Sequence, residues 1–306
     1  VFRLLDRVSG TQLPVLIEGD SGTGKELAAR ALHYNSERRK GAFVTENCGA
    51  ISETLFESEL FGHVKGAFTG ADRDHEGLFA TANGGTLFLD EVHQLSLGSQ
   101  RKLLRVIQEG EFRPVGGKEL VKTDVRILAA SNEPLYRLVG SGKFREDLYY
   151  RLNVLRVELP PLRNRGRDVL ILAQHFLEGV VESQSLGEKH LTAEAMRALA
   201  RYPFPGNVRE LRNVIEKAAI LGDGPLIQET DLFFDSNTPE RSPRIDLPSS
   251  LTEVPLKDAR EEFQRKYVER ALDVTGGVVS HAAERSGITR ESLHRLIRKY
   301  GIRRAP

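Results

Sequence analysis

Tryptophan is absent from the 306 residues, and cysteine and methionine occur once each, as Cys48 and Met196. A single cysteine excludes an intramolecular disulfide and argues against a cysteine-based zinc site, so a reducing cytoplasm is the simplest home. No uninterrupted apolar run approaches the ~20 residues that cross a bilayer, which excludes a helical membrane protein. No signal or transit pattern precedes the first apolar stretch. The chain opens at Val1, which leads to the expectation of a piece cut from a longer protein. Net charge is nearly missing too, since 44 Lys/Arg against 43 Asp/Glu leave +1. That balance hides an asymmetry. Residues 256–306 hold twelve Lys/Arg and seven Asp/Glu, a local +5 that leaves −4 on the rest. A basic C-terminal module on a mildly acidic body is the layout of a DNA-binding appendage, although a solvated charged face gives the same count.

The residues that are present pattern into distinct units. Hydrophobic residues at 40% and charged residues at 28% place the chain among folded soluble proteins, and its length suggests two or three domains. Over residues 1–160, short apolar or β-branched runs at 15–17, 42–46, 86–89, 125–130 and 155–159 alternate with helix-length connections such as 25–34. This order predicts an α/β fold with a mainly parallel sheet covered on both faces. Pro160-Pro161 ends it. Helical patterns at 168–181, 192–201 and 207–221 predict a small helical unit over 161–232, with Asn207 placed to cap the last helix. Pro239, Pro243, Pro248 and Pro255 mark 233–255 as a linker. Beyond it Leu256, Ala259, Phe263, Tyr267, Ala271 and Val274 recur at three- and four-residue steps. They predict a long helix over 256–274, and shorter helices near 278–285 and 290–300 complete an all-α unit over 256–306.

Gly19-Asp20-Ser21-Gly22-Thr23-Gly24-Lys25 follows an expected strand and precedes an expected helix. In that context it reads as a P-loop, whose glycines let backbone N–H groups curl around phosphates while Lys25 reaches the β- and γ-phosphates of ATP. Glu26 stands where the general motif has a hydroxyl on magnesium. Leu87-Phe88-Leu89-Asp90-Glu91 supplies the other half: Asp90 to hold Mg²⁺ through water, Glu91 to polarise an attacking water.

Further motifs carry a resemblance. Gly66-Ala67-Phe68-Thr69-Gly70-Ala71 and Phe204-Pro205-Gly206-Asn207-Val208-Arg209-Glu210-Leu211, together with the P-loop and the acidic pair, resemble the sigma-54-dependent transcription activators, which are NtrC-like AAA+ ATPases. The resemblance covers about 1–232 for the ATPase with its helical lid and 256–302 for a Fis-type helix-turn-helix domain. Gly-Thr-Gly-Lys-Glu is usual in that family, so Glu26 fits it. The resemblance implies that Asn47 links Glu91 to the loop at 66–71, that Asn132 reads the γ-phosphate, that Arg145 and Arg151 are arginine fingers, and that Arg209 senses nucleotide from the lid. It implies that residues 66–71 touch sigma-54 at the promoter. Val64 stands where the family often has an acidic residue, Phe204 where it has Trp, Asn164 where Glu is usual, and Gly277-Val278 where Gly-Asn is frequent. From the residues alone, Asn47 and Asn132 serve as well at strand ends, both arginines as surface ion-pair partners, and Phe68 as a buried aromatic in a turn.

Fingers supplied by a neighbour imply a ring, a hexamer or heptamer in the family, and a monomer with little activity. In the C-terminal unit Val279, Ala282 and Ala283 share one face, and Thr289 can cap the next helix. Leu293, Leu296, Ile297 and Tyr300 form that helix's inner face, leaving Arg290, His294, Arg295, Arg298 and Lys299 for a major groove. The helix over 256–274 resembles the Fis dimerisation helix. The leading expectation is an activator that binds enhancer DNA and uses ATP to convert the closed complex of sigma-54 RNA polymerase to an open one. Two alternatives stay open: a DNA-binding regulator in which ATP only controls assembly, and a general AAA+ remodeller.

Overall fold

The computed structural model describes residues 2–50, 53–222, 224–234, 256–275, 278–286 and 289–302. The chain divides into two compact units, 1–235 and 236–306. In the first, strands β1 (Val15–Glu18), β2 (Phe43–Asn47), β3 (Thr86–Asp90), β4 (Arg126–Ser131) and β5 (Leu155–Glu158) form one sheet in the order β2-β3-β4-β1-β5. Every neighbouring pair runs parallel. Side chains of a strand alternate between faces, so β1, β3 and β4 feed two cores at once. Leu16, Leu87, Leu89, Ile127 and Ala129 join Phe56, Phe79 and Leu103 on one face. Val15, Ile17, Phe88, Leu128 and Ala130 join Ala28, Ala29 and Leu32 on the other. Full burial of each such Val, Leu, Ile or Phe side chain contributes roughly 1.5–3 kcal/mol.

Helices α1 (Phe2–Ser9) and α2 (Lys25–Tyr34) cover the second face. Helices α3 (Glu53–Phe61), α4 (Leu78–Thr81), α5 (Leu97–Glu109), α6 (Leu135–Gly140) and α7 (Glu146–Leu152) cover the first. The sequence reading did not anticipate α1. Its end is fixed by Arg126, 1% exposed at the start of β4, which donates to the carbonyls of Val8 (2.8 Å) and Ser9 (3.1 Å). The last carbonyls of a helix lack internal donors and carry its negative dipole end, so they solvate a cation that has no carboxylate partner among the described residues.

The helical lid comprises α8 (Asp168–Ser183), α9 (Ala193–Arg201) and α10 (Asn207–Leu221), closed around Leu177, Leu199, Phe204, Leu211, Val214 and Ile215. Thr192 caps α9 by accepting from the Ala195 N–H. Asn207 does not cap α10. Gly206 precedes that helix without a side-chain cap, and the Asn207 amide is used elsewhere. Phe234 stacks on Tyr202 with ring centroids 4.3 Å apart, so the lid core takes in the start of the expected linker. Residues 235–255 lie outside those described.

The second unit holds α11 (Leu256–Val274), α12 (Val279–Arg285) and α13 (Arg290–Tyr300) around Val268, Leu272, Val279, Ala282, Ala283, Leu293 and Ile297. The inward face of α11 is rotated from the expected stripe: Val268 and Leu272 are buried, while Tyr267 is 48% exposed. The side chains of Leu256, Ala259 and Val274 lie outside those described.

Candidate functional site

The strand order sets β1, β3 and β4 side by side, so their C-terminal ends form one rim, the place where open α/β sheets bind ligands. From β1 the chain turns through residues 19–25 into α2. Gly22 adopts φ +77°, and a Cβ there would stand 2.3 Å from the Gly206 carbonyl oxygen of the lid. A side chain is excluded by both conformation and contact. Lys25 is 8% exposed, and its ammonium donates to the carbonyls of Gly19 (2.8 Å) and Asp20 (3.2 Å). Burial pulls its pKa below the ordinary lysine value, Asp90 and Glu91 pull it back, and Arg209 adds to the lowering. A buried ammonium between loop carbonyls and two carboxylates, at a helix N-terminus, fits a polyphosphate.

At the end of β3, Asp90 accepts the Glu91 N–H on Oδ1 (2.9 Å). Glu91 itself sits at φ +53°, left-handed backbone that non-glycine residues seldom adopt. Gly49 separates Glu91 from Asn47: a Cβ on it would come 2.8 Å from Glu91 Oε2 and 3.3 Å from Asn47 Oδ1. Asn47 accepts the Gly49 N–H on that oxygen, and no hydrogen bond joins Asn47 to Glu91 directly among the described residues. Asn132 directly follows Ser131, the last residue of β4. Ser131 accepts the Gly19 N–H on its carbonyl (3.3 Å), so the strand end and the loop are fixed to each other.

The lid closes on this loop. Asn207, 0% exposed, donates to the Ser21 carbonyl and accepts the Leu162 N–H, both at 2.9 Å. Val208 N–H donates to Gly22 O, Arg165 donates to Thr23 O, and Arg209 reaches Ser21 Oγ at 3.2 Å. Arg163 pairs with Asp20 at 3.7 Å. Glu26 is turned outward to an ion pair with Arg30 (2.8 Å).

Arg145 precedes α7 and pairs with Asp147 at 2.6 Å, while Arg151 donates to the Ile107 carbonyl. No contact among the described residues brings either arginine to the P-loop of the same chain. Residues 66–71 form a tight reversal between two strand-like positions, His63 and His75, which bond each other's backbones at 2.9 and 3.0 Å. Gly66 and Gly70 take φ +80° and +100°, and the Gly66 N–H closes the loop on the Ala71 carbonyl. Phe68 is 40% exposed, and its ring meets that of His63 edge-on at 4.9 Å. It is not a core aromatic. A short hairpin, Glu111–Phe112 with Val121–Lys122, supplies Val115 to pair with Gly62 and Val64, and Gly116 to back Ala67.

Sequence reading missed His93, whose Nδ1 lies 3.2 Å from Ser131 Oγ beside the acidic pair. It also missed the bridging role of Asn207. No motif flags His93, and Asn207, although inside the 204–211 motif, was expected only to cap α10.

In the second unit Thr289 caps α13 by accepting the Ser292 N–H. Arg290, Arg295 and Arg298 are exposed and His294 is half-buried. Lys299 differs, since its ammonium is committed to Glu261 of α11 at 2.9 Å and lies over the Tyr300 ring.

A parallel sheet with the P-loop at its rim and a helical lid docked on that loop defines an AAA+ type of P-loop NTPase fold, here joined to a helix-turn-helix unit. Residues 1–158 match the model of the sigma-54 interaction domain, 163–244 that of the AAA+ ATPase lid domain, and 259–300 that of the bacterial regulatory proteins of the Fis family. The chain belongs to the sigma-54-dependent activator family. It is similar to the regulatory protein AtoC of Escherichia coli K12, 44% identical over 97% of this chain and 64% of that protein. It is also similar to the response regulator PilR of Pseudomonas aeruginosa, 46% identical over 97% and 66%. Among solved structures, NtrX from Brucella abortus in complex with ADP superposes with a TM-score of 0.72, at 36% identity over 98% of this chain and 67% of that one. The chain thus spans somewhat under two-thirds of the length of these two curated relatives.

Proposed function

We propose that this chain hydrolyses ATP between neighbouring copies in a ring and uses the cycle to open promoters held by sigma-54 RNA polymerase, while its C-terminal unit holds enhancer DNA. The observation that carries the reading is the convergence of Lys25, Asp90 and Glu91 at the ends of β1 and β3, the two strands that flank β4, with the lid hydrogen-bonded to the P-loop. NtrX structures contain ATP or ADP, which supports a nucleotide as occupant here.

Phosphates would lie against the N–H groups of residues 19–25, with the Lys25 ammonium released from the Gly19 and Asp20 carbonyls to meet them. Magnesium would be held at Asp90, through water, and would supply charge neutralisation for the phosphoryl group; among the described residues no cluster of three or more His, Cys, Asp or Glu side chains is arranged to hold a metal ion. Glu91 accepts a proton from the attacking water. Asn132 and Arg209 register the phosphate from the sheet and the lid. Arg145 and Arg151, engaged away from their own chain's P-loop, serve the neighbour's site, so a ring is needed for full turnover. Asn47, across Gly49 from Glu91, relays the state of the site towards the loop at 66–71, which offers Phe68 and Thr69 to sigma-54. Arg290, His294, Arg295 and Arg298 face DNA. Lys299 joins them only by leaving Glu261.

The test is Glu91→Gln. It should bind ATP as the unsubstituted chain does and lose nearly all turnover. Unchanged hydrolysis would remove Glu91 from its role.

A further inference from the structure

His93 is two residues past Glu91, half-buried, and used by none of the roles above. Its surroundings fix its hydrogen. Ser131 Oγ has one proton and donates it to the Glu133 carbonyl at 2.5 Å, while the Glu133 N–H donates back to Oγ at 3.2 Å. Towards His93, then, Oγ accepts, and Nδ1 must carry the hydrogen across the 3.2 Å between them. Nε2 is left as an acceptor, and the Gln94 amide stands 3.1 Å from it. Burial lowers the pKa of the ring, which keeps it neutral; Glu133, Glu91 and Asp90 act in the opposite sense and Lys25 in the same sense.

The turn that His93 occupies is the one that aims Glu91. Left-handed backbone at a residue such as Glu91 is strained and persists only where its surroundings hold it. Within the turn, the Gln94 N–H bonds the Glu91 carbonyl at 2.8 Å, and Val92 is fully buried. Among the described residues, the His93–Ser131 bond is the one side-chain hydrogen bond from residues 91–94 to β4. Ser131 is 0% exposed, holds the P-loop through the Gly19 N–H, and immediately precedes Asn132.

We propose that His93 is a positioning residue for hydrolysis: by donating from Nδ1 to Ser131 Oγ it holds the turn that presents Glu91 in register with the strand end that presents Asn132. The inference rests on the ATPase reading above and adds to it a residue that neither binds phosphate nor transfers a proton.

The experiment is steady-state ATP hydrolysis by the full chain, at concentrations where it assembles, with nucleotide binding read separately from a fluorescent ATP analogue. His93→Ala should lower kcat about fivefold, the scale of one hydrogen bond, with KM and analogue affinity nearly unchanged. His93→Asn, which places an amide donor near the Nδ1 position, should recover most of that loss. Ser131→Ala should lower kcat similarly, and the double variant should be little worse than either single one. Full turnover in His93→Ala, or an Asn variant no better than Ala with KM raised in both, overturns the inference. If His93→Ala does not fold, the Ser131→Ala and His93→Asn arms decide. No hydrolysis by the unsubstituted chain would fell the ATPase reading and this inference with it, whereas hydrolysis indifferent to His93 fells the inference alone.

Discussion

The side-chain amide of Asn207 donates to the backbone carbonyl of Ser21 across 2.9 Å, tying the first residue of a lid helix to the middle of the P-loop. The same side chain accepts the Leu162 N–H, where the sheet unit gives way to the lid. Asn207 achieves this at φ +55°, a conformation that asparagine tolerates better than most residues. This contact joins those of Val208, Arg165 and Arg209 in coupling lid and loop, so a change in either is felt by the other.

Asn207→Ala leaves the Ser21 carbonyl and the Leu162 N–H without that partner, and should cost about 2–4 kcal/mol of stability in chemical denaturation. Asn207→Asp keeps an acceptor for Leu162 but loses the donor and brings a carboxylate to the phosphate loop. It should weaken nucleotide binding more than the alanine does, as measured by titration calorimetry. Equal affinities would mean that the contact plays no part in binding.

Gly49→Ala places a methyl group 2.8 Å from Glu91 Oε2 and 3.3 Å from Asn47 Oδ1. The Glu91 carboxylate is the end of a flexible chain and can step aside, so the melting temperature should move little. Turnover should fall on the order of 10- to 100-fold, because a misplaced base costs rate steeply. Normal kcat in this variant would show that Glu91 needs no fixed place.

Thr69 is exposed in the closed loop at 66–71, remote in bonding from the P-loop. Thr69→Ala should keep ATP turnover and stability, the latter within about 0.5 kcal/mol. Transcription from a sigma-54 promoter in vitro should nevertheless be lost. Full transcription would take the loop out of the mechanism.

Cys48 is 4% exposed behind the acidic strand end, and burial pushes its thiol pKa up to about 12. The reactive species is the thiolate. At pH 8 the folded protein should resist alkylation for as long as it stays folded, and label only on addition of denaturant. Rapid native labelling, followed by mass spectrometry, would contradict a closed core at this point.

Much of the site was legible because its chemistry is contiguous. Residues 19–25 carry glycines and lysine in the order that a phosphate cradle needs, and β3 runs apolar residues directly into Asp90 and Glu91. Helices α2, α10 and α11 fall on their expected bounds, since apolar spacing and the glycines and prolines that flank a helix are local signals. The inward face of α11 was not legible. Phe263 and Tyr267 keep helical spacing with the rest, but α12 and α13 select Val268 and Leu272 instead. The ion pairs of Glu26 and Lys299 were not legible for a related reason. Each finds an opposite charge nearby, Arg30 on its own helix and Glu261 on another, which composition cannot reveal.

The sequence alone determined the family, the phosphate loop, the acidic pair and the division into an α/β unit, a lid and a basic helical unit, because each is written in neighbouring residues. Tertiary structure alone decided that Asn207 bridges Ser21 and Leu162, that Gly49 keeps Asn47 and Glu91 apart, and that His93 meets Ser131. These pairs are up to 186 positions apart in the chain. Hydrogen-bond partners at such separations are chosen by the strand order and the docking of the lid, and no local pattern encodes them.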